Sequence, residues 1–172
     1  MGMFDKIKGA VSGPDPAETL RRVLGDDALL AFVPVMASGS AVASPNKRPR
    51  DLGELAGKAA NRMKDKYIAD KHAGGDEGTI GRSLPNTTDI LVLALAEKTI
   101  SLWSFGPSGR KTNPDLVTRI PRDQVVSITD TGKRTARGHI RLSFADDSFF
   151  DEQSLKTPSE EFWQAADAYG RG

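Results

Sequence analysis

The chain has 172 residues, 38% of them hydrophobic and 27% charged, with no cysteine and a formal net charge of +1. This is the composition expected of one ordinary globular domain with appendages. The missing thiols exclude a disulfide framework, thiolate catalysis and thiolate metal sites, and they fit a reducing compartment.

The chain opens with "MGMFDKIKGAV", which sets Met3, Phe4, Ile7 and Val11 on one helical stripe beside Lys6 and Lys8. The stripe is short and weakly basic, so docking on its own domain or fraying is expected before a membrane-surface helix. It lacks the uninterrupted apolar core of a secretory signal. The longest apolar run, 28–37, is of strand length and contains Pro34, so no transmembrane span is expected. A cytoplasmic location follows, with peripheral contact to a membrane left open.

Three helix starts share one logic. "DPAE" at Asp15, "DLGE" at Asp51 and "TPSE" at Thr157 each offer a capping oxygen and an acid three residues later. The first helix is expected to stop near Gly25. The second runs toward Gly74, with Leu52, Ala56, Ala59, Met63 and Tyr67 on one face. The third turns Phe162, Ala166 and Tyr169 inward, beside Trp163. Between the second and third lies strand territory: "LVLALAEKTISLWSF" (91–105), "LVTRI" (116–120), "QVVSITD" (124–130), "HIRLSFA" (139–145) and "SFF" (148–150). Ile140, Leu142 and Phe144 share one face at period two, with His139, Arg141 and Ser143 on the other. With "ALLAFVPVM" (28–36), these make seven strands followed by a helix. Trp103 and Phe105, opposite Ile100 and Leu102, are expected under the lid or insertion helix, or in an exposed patch.

On "DILVLALAEKTISLWSF", "VTRIPRDQVVSI", "GHIRLSFADDSFF" and "EEFWQAADAYG", the chain resembles the bacterial pleckstrin-homology-like domains related to GRAM domains. The likeness covers roughly 89–170. It implies a mainly β fold: a seven-stranded antiparallel curved barrel capped by a C-terminal helix. The expected organisation is an N-terminal helical extension over 1–25 and the domain over 26–172. A helical insertion at about 44–80 falls between strands one and two.

Several motifs fall short of chemistry. "GGDEG" (74–78) lacks the large α/β domain and further acids of a diguanylate cyclase, and reads as a helix stop with a loop. "GPSGRKT" and "DTGKRT" miss the residues a phosphate loop needs, and read as hairpin turns. His72 and His139 stand far apart with no spaced carboxylate, so neither a zinc site nor a catalytic triad is expected. Asp146, Asp147, Asp151 and Glu152 lack the glycine of a cation loop, and read as a polar hairpin tip. No catalytic residue, metal, cofactor or small-molecule substrate is expected.

Charge is the remaining lead. Residues 44–71 hold eight Lys/Arg against four acids, residues 105–145 hold eight against three, and 146–172 reverse the balance. In the resemblance, the loop between strands one and two presents basic residues to inositol phosphates, and Lys47, Arg48 and Arg50 fall there. The strand that follows carries no base to complete such a pocket. Arg110, Lys111, Lys133, Arg134 and Arg137 add charge at other hairpin tips, without the aromatics that stacking on nucleic acid requires. The leading expectation is a non-enzymatic interaction module for a protein partner or for a second copy of itself. An anionic membrane surface is a further target for the basic loops, and the alternative is a nucleic-acid-binding protein using the basic tips.

Overall fold

The computed structural model describes residues 14–38, 72–133 and 138–171. Helix α1 (Pro16–Leu24) begins as its sequence demands: the Asp15 carboxylate accepts from the Ala17 amide and Pro16 takes the first turn. Gly25, at φ 65°, ends it. The strands are β1 (Leu29–Ala37), the two-residue β2 (Ala73–Gly74), β3 (Leu91–Ala96), β4 (Thr99–Ser104), β5 (Asp115–Pro121), β6 (Val125–Asp130), β7 (His139–Phe144) and β8 (Phe149–Ser154). Two further helices are the single turn α2 (Ile80–Ser83) and the C-terminal α3 (Glu160–Asp167).

All eight strands join one antiparallel sheet in the order β5-β4-β3-β1-β8-β7-β6, with β2 pairing β8 outside that path. The expected closure into a seven-stranded barrel is not found. β5 and β6 are the two ends of the sheet, linked by a 3-10 turn at Arg122–Gln124 and not by a ladder. The eighth strand, β2, is too short to leave a period in the sequence.

The β3–β4 hairpin matches its reading. Its tip is fixed by Asp27, whose carboxylate accepts from the Lys98 amide at 2.7 Å and the Thr99 hydroxyl at 2.6 Å. Both faces of this hairpin are covered. Leu93, Leu95, Ile100 and Leu102 join the main core with Val33, Val35, Ile140, Leu142, Phe150 and Phe162. Ala94, Ala96, Trp103 and Phe105 pack under Leu20 and Leu24 of α1. Trp103 and Phe105 are therefore buried by the N-terminal helix, not by the lid and not in an exposed patch. The alternating face of α1, read only as a helix outside the sheet, is what covers them.

Helix α3 caps the main core through Phe162, Ala166 and Tyr169, as expected. Its start lies two residues later than "TPSE" suggests. Ser159 is the cap, its hydroxyl accepting from the Phe162 amide at 3.2 Å, and Pro158 stays outside the helix. The Tyr169 hydroxyl accepts from the Ala96 amide and lies within donating reach of the Ala96 and Thr99 carbonyls. It thereby pins the C-terminus to the β3–β4 turn. The N-terminal stripe and the helix expected from Asp51 lie outside the described residues.

Candidate functional site

Strand β8 departs most from its reading. "SFF" is expected to end at Phe150, with the acids beyond it on a polar tip. Asp146 and Asp147 do form the β7–β8 turn, Asp147 at φ 61°. Asp151 and Glu152 instead continue the strand, at 0% and 1% exposure. Strand β8 lies between β7 and β1, so its polar residues cannot reach water at an edge. Alternation sends Phe150 and Glu152 to the core face, and Asp151 to the outer face beside His139 and Arg141.

The outer face is covered by residues 72–83, which carry β2 and α2. Gly74 and Gly81 permit this close approach: a Cβ at Gly74 would meet the Phe149 ring at 2.0 Å, and one at Gly81 the Phe149 carbonyl oxygen at 2.5 Å. The segment is also bonded in place. The Ile80 amide donates to Asp146 at 2.7 Å, and the Gly81 amide to the Ser148 hydroxyl at 2.8 Å. The Ser148 hydroxyl in turn donates to Asp146, and this bond foremost, with the one from Ile80, holds the Asp146 carboxyl below the usual range.

Beneath this cover lies a polar cluster drawn from five parts of the chain: Ser38, His72, Thr131, β7 and β8. Arg141 clamps Asp151 in a bidentate pair, Nε to Oδ1 at 2.7 Å and Nη2 to Oδ2 at 2.8 Å, and its guanidinium lies 4.0 Å from the Phe149 ring centre. His72 Nδ1 stands 3.8 Å from Asp151 Oδ2. The rings of His72 and His139 are 5.9 Å apart. His139, 1% exposed, has a hydroxyl on each ring nitrogen: Thr131 at 2.7 Å on Nδ1 and Ser38 at 2.6 Å on Nε2. Burial lowers the pKa of His139 below its ordinary 6.5, against the opposing pull of Asp151. One nitrogen of each histidine and one oxygen of Asp151 fall within 4.8 Å of one another. Two histidines that look isolated in the sequence thus meet beside a carboxylate. The ladders that pair β2 and β7 with β8 bring this about, and no local motif announces it.

On the opposite face, Glu152 stands across from Ala37 and Ile140. Burial, reinforced by the neighbouring charge of Asp151, raises its pKa from 4.5 to about 8. Its Oε2, like the Ser154 hydroxyl, has no hydrogen-bond partner among the described residues.

The basic positions singled out from sequence fare differently. Lys47, Arg48, Arg50, Arg134 and Arg137 lie outside the described residues. Arg110 is exposed and Lys111 pairs with Asp115 at 2.5 Å, both in the β4–β5 connection. Lys133 is exposed after β6, on a different turn. An open hollow of about 620 Å³ beside Lys98, Arg122 and Tyr169 carries a further guanidinium. Arg122 spends it on the Glu97 and Ala168 carbonyls and on the Tyr169 ring.

Among the described residues, no helix is long and apolar enough to cross a membrane. No protein-family model matches the chain, and no curated protein is similar enough in sequence to carry a function over to it.

Proposed function

We propose that the chain is a non-enzymatic interaction module of the pleckstrin-homology-like kind, which takes up an extended segment of a protein partner along β5. Two antiparallel meanders, β3-β4-β5 and β6-β7-β8, share β1 between them, and a C-terminal helix covers their common core. That arrangement supports the resemblance drawn on the sequence.

The observation that carries the reading is the state of β5. Among the described residues it is an end strand, paired only to β4, and Asp115, Leu116, Val117, Arg119 and Pro121 are all exposed. Leu116 and Val117 stand 47% and 40% open to solvent on a strand whose second row of backbone groups has no ladder among the described residues. Such an edge offers main-chain bonds for affinity and apolar contacts for selectivity. The other end strand, β6, is less available: the C-terminal 3-10 turn Ala168–Arg171 packs against it.

The test uses the full chain and a Leu116→Asp/Val117→Asp variant of equal melting temperature. A partner retained by wild type and lost by the variant should protect β5 amides from hydrogen exchange when the purified pair is mixed. Protection elsewhere, with β5 unchanged, removes this reading. Sedimentation identifies self-pairing, which the same variant must abolish. Binding to anionic vesicles or duplex DNA that collapses between low and high salt and ignores the β5 variant would instead favour the basic loops.

A further inference from the structure

Ser38, at the end of β1, and His72, just before β2, meet at one junction, the polar cluster on β7 and β8. The geometry points to a divalent metal site of the zinc class at this junction, formed by His72, His139 and Asp151.

The ligand atoms come from three separated places in the sequence, yet all lie within 4.8 Å of one another. Tetrahedral bonds of about 2.0–2.2 Å from nitrogen and carboxylate oxygen set the ligand atoms roughly 3.4 Å apart, so the longest side of the triangle closes by up to about 1.4 Å when an ion enters. Each of the two buried ligands is already oriented by a neighbour. Thr131 and Ser38 hold the two nitrogens of His139, so whichever nitrogen turns to the metal, the other keeps a hydroxyl that fixes the ring. Arg141 holds both oxygens of Asp151, and each oxygen keeps a second lone pair for an ion.

Arg141 also decides which ion. Its charge offsets that of Asp151, so the site has little net negative charge to draw in a hard cation. Calcium or magnesium would further want an oxygen-rich shell. Two imidazoles and one carboxylate suit zinc, cobalt or nickel, whose bonds to nitrogen carry the affinity. A water, or the Ser38 hydroxyl beside His139, completes four-coordination. The ion would fasten the return of the chain at His72 to the centre of the sheet, and its binding would add to the stability of the fold.

The experiment uses the full chain, stripped with a chelator, and two probes, Zn²⁺ and Co²⁺. The expected result is one Zn²⁺ per chain by calorimetry, a raised melting temperature, and the visible absorption of four-coordinate Co²⁺. His72→Ala should weaken Zn²⁺ binding by at least about 100-fold, and Thr131→Val, which only loosens His139, by about 10–100-fold. Metal-free Thr131→Val should melt near the wild-type temperature, so its loss of affinity reads orientation and not unfolding. Failure of wild type to take up Zn²⁺ overturns the site. So does undiminished affinity in both variants, which would put the ion on other residues. Should His72→Ala not fold, Thr131→Val and Ser38→Ala decide together, since one of the two hydroxyls holds the ring nitrogen turned away from the metal, and undiminished affinity in both overturns the site.

Discussion

Asp151 and Glu152 are neighbours in one strand, equally hidden from water, and the fold treats them in opposite ways. Asp151 faces a layer of polar side chains and receives two bonds from Arg141. Glu152 faces Ala37 and Ile140, and one of its oxygens receives none among the described residues. The first acid is matched by a guanidinium; the second is left without one and keeps its proton to a higher pH. Burial alone therefore does not say what a carboxylate costs: the face it occupies does.

The comparison can be broken most heavily from the inner side. Phe162 is wholly buried where α3 closes the core over Phe150. Phe162→Ala should destabilise by about 3–5 kcal/mol, read as a fall in denaturant midpoint. An unchanged midpoint would mean that α3 is not what covers the face on which Glu152 sits.

Arg141→Leu attacks the outer side. It strands the Asp151 carboxylate in a buried site, but the arginine side chain is itself 36% exposed and partly screened. A loss of about 2–3 kcal/mol is expected, smaller than for a fully buried pair. Adding Asp151→Asn to Arg141→Leu should recover part of it. If the double variant is no better than the single, the pair is not what makes Asp151 tolerable.

Next comes the pH dependence of the metal-free chain. Unfolded, Glu152 ionises near its ordinary 4.5; folded, it holds its proton to about 8. Across that window the unfolded state binds fewer protons, so this residue's contribution to stability declines as pH rises. His139 acts in the other direction: its lowered folded pKa costs stability as pH falls below 6.5. Glu152→Gln should therefore lose less stability than wild type between about pH 5 and about pH 8. Parallel profiles for the two proteins would show that Glu152 does not retain its proton.

The smallest effect is expected at the anchor of the lid. Tyr169→Phe deletes only the hydroxyl that ties the C-terminus to Ala96 and Thr99. A cost of about 1–2 kcal/mol should appear by thermal melting, well short of that for Phe162→Ala.

What could be read in advance was whatever residues decide among their near neighbours. The α1 cap, the hairpin from Leu91 to Ser104, and the alternation of β7 are written in consecutive positions, and all three hold. The continuation of β8 past Phe150 leaves no such signal, because "FFDEQS" carries no alternation of apolar and polar residues. It lies inside the sheet with both faces covered, and its acids are accommodated by residues distant in sequence. The histidine–aspartate cluster was hidden for the same reason. His72, His139 and Asp151 approach only after β2 and β7 have both paired with β8. Neither the spacing of the histidines nor the acids of β8 hints at that register. The cap of α3 was misplaced for a smaller reason: Thr157 and Ser159 both carry a hydroxyl, and only Ser159 points it at a free helix amide.

The sharing of β1 by the two meanders has a kinetic consequence. Each meander is built from strands that follow one another along the chain, so its contacts are local and close quickly. β1 is different: Leu29 pairs with Ala96, Ala37 pairs with Glu152, and Val35 belongs to both ladders. Its contacts require long loops to close before any ladder forms, which places them late on the folding route. Truncating Val35 should then speed unfolding and leave the refolding rate almost untouched, whereas truncating Leu142 in β7 should slow refolding. Equal effects of the two substitutions on the refolding rate would mean that the central strand is laid down first and the meanders assemble on it.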